Sequence, residues 1–147
     1  MNLEIIIPSD EPVRLLNAVT EKLDYRRLTA TYSRFGRIEY SPRLLFKIVL
    51  YGCSRGIYGT REIERACREN VNFMYLLEGH RPPDHNTIAR FRKEHLPYAV
   101  EDLLNQMVKL LVQWGEISFE ESAVFIDGTK IEANANRYSF VWKTAVT

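Results

Sequence analysis

The stretch SPRLLFKIVLYGCSRG, residues 41–56, constrains the fold more than any other part of the chain. Ser41-Pro42 is a helix start, a hydroxyl to cap followed by proline at the first helical position. The residues behind it are apolar around most of the helix circumference, with Arg43, Lys47 and Ser54 as a thin polar line. A helix of that kind is stable only when other elements surround it, so the stretch predicts a bundle with this helix at its centre. Its longest apolar run, Leu44 to Cys53, is interrupted by Lys47 and is far too short to span a bilayer. No membrane partner is expected.

The remaining elements follow from periodicity and punctuation. Asp10 and Pro12 open a helix on which Leu15, Leu16, Val19 and Leu23 recur. Residues 24–40 read as one helical turn and then a loop. Gly56 and Gly59 end the central helix, and Thr60 caps TREIERACREN, with Asn70 as its stop. VNFMYLLE is a short apolar helix closed by Gly79. Asp84 caps HNTIARFRKEH, and Pro97 opens an amphipathic helix that runs to Trp114 and is ended by Gly115. Beyond Ser118 the pattern changes, and Val124-Phe125-Ile126 and Ile131-Glu132-Ala133 have strand character. The expectation is a mainly α fold. It is a helical bundle with a helix-turn-helix-like element over residues 1–116, followed by a short β segment over 117–147.

Net charge is +1, but it is unevenly spread. Residues 41–96 carry ten basic and six acidic side chains, whereas 97–147 carry four and seven. The middle segment is therefore the candidate for meeting a polyanion. The opening residues lack the basic and apolar regions of a secretion signal. Cys53 and Cys67 lie in predicted helices, so reduced thiols and a cytoplasmic location are expected.

The segment GHRPPDHNTIARFRKEH looks like the later half of a helix-turn-helix. Ile88 and Phe91 are three apart and face inward, while Asn86, Arg90 and Lys93 share an outer face with Arg92 beside them. Arginine forks onto guanine or grips phosphate, and asparagine pairs with adenine. A capped helix start adds attraction for phosphate. Arg81, Asn86, Thr87, Arg90, Arg92 and Lys93 are the candidate DNA contacts. A plain solvated face fits the same residues, and Arg81 fits a loop cation. The spacing of His80, His85 and His95 matches no zinc pattern, so surface or capping roles are expected of them. Arg26, Arg27, Tyr32, Arg34, Arg37 and Tyr40 fit either a stacking and phosphate surface or packing against the bundle.

Asp127 stands at the end of an apolar strand-like run. With Gly128 it makes an ordinary hairpin turn. An acid on a rigid strand is also what two-metal nucleotidyl transfer uses, and such a site needs further carboxylates.

Two long runs carry a family resemblance. YSPRLLFKIVLYGCSRGIYGTREIERACRENVNFMYLLEGHRPPDHNTIARFRKEH resembles the InsH-like N-terminal domain of bacterial insertion-sequence transposases. FIDGTKIEANANRYSFVWK resembles the start of their catalytic domain. The resemblance implies a ribonuclease H-like core with an Asp-Asp-Glu triad holding Mg²⁺, whose first Asp, catalytic and metal-binding, is Asp127 here. The second Asp and the Glu of that pattern lie far downstream, and Glu132 is too close to Asp127 to be that Glu. The implied protein is a truncated DDE transposase that binds the double-stranded terminal inverted repeats of its element and is inactive by itself. A protein-interaction module that pairs with full-length transposase and inhibits it is the alternative, and a homo-oligomer is compatible with both.

Overall fold

The computed structural model describes residues 2–32 and 40–116. The expected β segment and the whole of 117–147, with Asp127, lie outside the described residues, as do Arg34 and Arg37. The described residues are mainly helical: α1 (Leu3–Ile6), α2 (Pro12–Glu21), α3 (Arg26–Thr29), α4 (Pro42–Ser54), α5 (Thr60–Glu69), α6 (Val71–Leu76), α7 (His85–Arg90) and α8 (Val100–Gln113). Among them, no helix is long and apolar enough to cross a membrane.

The apolar helix is central, as its pattern requires. From Leu44 to Cys53 every residue of α4 is buried, and α2, α5 and α6 pack around it. Tyr51 meets Phe73 edge-on at 5.1 Å, and its hydroxyl accepts from Asn72 Nδ2 at 2.9 Å. Cys53 and Cys67 are buried free thiols, and burial pushes them up to about 11 and about 12.

Gly52 shows how tightly the end of α4 is closed. The chain turns at Gly56 (φ 78°) and folds back so that the Ile57 N–H donates to the Gly52 carbonyl at 2.7 Å. A Cβ on residue 52 would stand 2.8 Å from the Ile57 carbonyl oxygen. Alanine is the better helix former by about 1 kcal/mol. Even so, Gly52→Ala is expected to destabilise by about 1–3 kcal/mol, because backbone rather than a movable side chain has to yield. Its urea midpoint measures this.

Several boundaries differ from expectation. α1 has no counterpart among the expected elements. The side chain of Asn2 caps it, and Arg14 holds it by donating to the carbonyls of Glu4, Ile7 and Pro8 and to the Glu4 carboxylate. Glu11, not Asp10, occupies the cap position of α2, and Ser41 sits before α4 without a side-chain capping bond. Gly59 rather than Thr60 precedes α5. Leu15, expected on the inner stripe of α2, is 39 % exposed, because Val13 and Val19 take the core positions. A tight turn at Leu96–Tyr98 precedes α8, which starts at Val100 rather than Pro97. On α8, Gln106 exchanges hydrogen bonds with the backbone of Asp24 (2.7 and 3.0 Å) and so fixes that helix to the α2–α3 turn.

Candidate nucleic-acid interface

Helix α7 begins as the sequence suggests. Asp84 accepts the Thr87 N–H at 2.7 Å, and Pro83 is buried just before it. That bond holds the Asp84 carboxyl below its usual value. Ile88 and Phe91 are buried, and α7 packs on α5, with His85 Nδ1 3.4 Å from Glu64. The path from α5 to α7 passes through α6 and the loop 77–84.

After Arg90 the helix does not continue in α geometry. Residues Phe91–His95 form a wider π turn, in which the Leu96 N–H bonds to the Phe91 carbonyl five residues back. Arg92 explains part of this course. Its guanidinium is half-buried and donates to the Tyr58 carbonyl in the α4–α5 loop. Burial lowers its pKa. His95, at the end of the turn, stacks on Tyr32 (3.7 Å between centroids, 5° between planes). The Thr31 hydroxyl donates to the Leu28 carbonyl at 2.7 Å, so His95 Nδ1–H is the donor in the 2.8 Å bond to Thr31 Oγ1. Burial holds the imidazole below its ordinary pKa.

The six candidate contacts thus divide. Asn86, Arg90 and Lys93 are exposed on α7 and its continuation, and Arg81 is exposed on the preceding loop. Among the described residues none of Arg81, Arg90 and Lys93 has a carboxylate within ion-pair distance. Thr87 is half-buried, and its N–H is taken by Asp84. Arg92 is turned inward. Its spacing gives the signal: it is four residues after Ile88 and belongs to the same helical face. Of the tyrosine and arginine group, Arg26 is paired with Asp24 at 2.7 Å and Tyr32 lies in the His95 stack. The described residues contain no cluster of three or more His, Cys, Asp or Glu able to hold a metal.

Sequence reasoning missed a charged network that joins α2, α4 and the end of α6. Lys47 is fully buried, and its ammonium donates to Asn17 Oδ1 at 2.7 Å and to Glu21, with Glu78 at 3.6 Å. Arg43 donates to both Glu78 oxygens at 2.9 Å and also to Glu21. Those bonds hold the Glu78 carboxyl down to about 2. The signal is in the sequence, since a lysine inside an all-apolar helix must be paired. Asn17 and Glu21, four apart on α2, supply the partners.

A family model described as Transposase domain (DUF772) matches residues 1–94. No curated protein and no solved structure matches the chain.

Proposed function

The chain belongs to the DUF772 transposase-domain family, and from that membership we propose that its helical part binds the terminal inverted repeats of an insertion sequence as duplex DNA. In this reading α5, α6 and α7 act as a helix-turn-helix-like reader, with Asn86 and Arg90 toward the base edges and Arg81 and Lys93 on phosphate. The observation that carries it is the set of exposed cations, Arg81 on the loop before α7 and Arg90 and Lys93 on α7 and its continuation, free of carboxylate partners among the described residues, while Ile88 and Phe91 lock the opposite face into the core. Thr87 and Arg92 support that helix through the Asp84 cap and the Tyr58 carbonyl.

The finer assignment is an InsH-like transposase of the DDE class, with Asp127 as one of three carboxylates for Mg²⁺. It rests on the DGTK motif. The described residues contain no group of three or more His, Cys, Asp or Glu that could hold the metal, and Asp127 lies outside them.

The test is fluorescence anisotropy of the 147-residue chain on the repeat that flanks its gene and on a scrambled duplex. Replacing both Arg90 and Lys93 by alanine is expected to weaken binding. The slope of log affinity against log salt should fall by about 1 for each phosphate that is no longer engaged. Unchanged affinity and slope refute this assignment of α7.

One observation favours the second reading, pairing with an intact transposase. On α8 only Leu103 is fully buried; Leu104, Met107 and Leu110 pack on the core with part of their surface open, Leu111 is partly exposed, and Trp114 just after the helix is exposed. Mixed oligomers on co-purification, with no preference for the repeat, would favour it.

A further inference from the structure

Resting on the DNA-binding reading above, we propose that Glu78 is a positioning residue for the grip on DNA. Its fork with Arg43 sets the direction in which the chain leaves α6 and presents Arg81 and α7. The reason lies in the backbone. Glu78 (φ 53°) and Gly79 (φ 81°) are consecutive left-handed residues, and Glu78 is the one non-glycine in that region among the described residues. Glycine fits such a position without steric cost, whereas glutamate does not. What glutamate adds is its side chain, which reaches back to α4 and takes both arms of the Arg43 guanidinium at 2.9 Å. A bidentate pair fixes orientation as well as distance.

The segment is fixed on both sides of that turn. Leu76 and Leu77 are buried before it, and Pro83 is buried after it. Asp84 then caps α7. Only Gly79, His80 and Arg81 intervene before the stiff Pro82-Pro83 pair, and the His80 N–H is held by the Leu77 carbonyl at 2.9 Å. The direction set at Glu78 is therefore carried almost unchanged to the start of α7. The Gly79 position is otherwise open, since a Cβ there would meet nothing within 4 Å, so its glycine answers to φ alone.

The experiment uses the full chain, the flanking repeat and the scrambled duplex. Glu78→Gly keeps a permissive backbone and removes the fork. It is expected to weaken binding to the repeat about tenfold and to narrow the preference over the scrambled duplex. Glu78→Gln keeps the length and one acceptor and is expected to retain more affinity than Glu78→Gly. Leu103→Ala, remote from the turn, lowers stability and is expected to bind as wild type does, which separates positioning from general weakening. Arg43→Lys keeps a charge without the fork, and it reads the same effect if Glu78→Gly does not fold. Wild-type protein with no preference for the repeat overturns the DNA reading and the proposal with it. Wild-type preference with Glu78→Gly or Arg43→Lys binding equally well overturns the proposal alone.

Discussion

Replacing Lys47 by alanine is expected to cost about 3–5 kcal/mol of folding stability, because it breaks a buried ion network by removing one partner. The ammonium is wholly enclosed, and its loss leaves a hole beneath α2 as well as two carboxylates that share Arg43 alone. Glu21 and Glu78 have side chains 39 % and 40 % exposed and can turn toward water, which places the loss nearer 3 than 5. Lys47→Met fills most of the volume without a charge and is expected to lose less. Urea unfolding measures both, and a shift below about 1 kcal/mol for alanine would mean that the network is not a structural tie. Acid acts on the same place. The folded Glu78 carboxyl is depressed to about 2 from an ordinary 4.5, so its contribution is complete above about 4.5 and is lost as pH falls toward 2.

The second large effect is expected at Phe91. It is 1 % exposed and stands where α7 passes into the π turn. Phe91→Ala is expected to cost about 3–5 kcal/mol by leaving a cavity under that junction. The loss should be concentrated around α7. Hydrogen exchange at the Thr87 amide, held by Asp84 at 2.7 Å, is expected to speed up more than exchange in the middle of α4. Uniform acceleration across both helices would show instead that α7 and α4 unfold as one unit.

The parts of the fold legible in the sequence are those that local chemistry dictates. The centrality of α4 follows from its apolar circumference, the Asp84 cap from its place before HNTIARF, and the inward course of Ile88 and Phe91 from their spacing. The family membership is consistent with the long motif runs of residues 40–95. What is not legible depends on partners distant in sequence. LEII is too short to mark a helix by periodicity, and besides the Asn2 cap it is tied down by Arg14, ten residues beyond Glu4. Nothing in LLEGH marks glutamate as left-handed beside its glycine. The π turn carries contacts to distant partners, Arg92 to the Tyr58 carbonyl 34 residues earlier and His95 to the Tyr32 ring. Of the candidate site, the exposed positions follow from the outer face of the helix. The inward turn of Arg92 onto the Tyr58 carbonyl is contained in its spacing from Ile88.

Glu21 and Glu78 neutralise Lys47 and Arg43 within the molecule, so on the proposed reading the cations left to meet phosphate are those outside this network. Of the segment's ten basic side chains, Lys47 and Arg43 are paired with carboxylates and Arg92 donates to a carbonyl, and on the proposed reading α7 and the loop before it offer Arg81, Arg90 and Lys93. If those three cations engage DNA as proposed, they displace about three counterions, and the salt exponent from this face is expected near −3. On that reading, tighter occupancy of an element's end through this face would come from avidity, two or more copies bridging adjacent sites on one DNA.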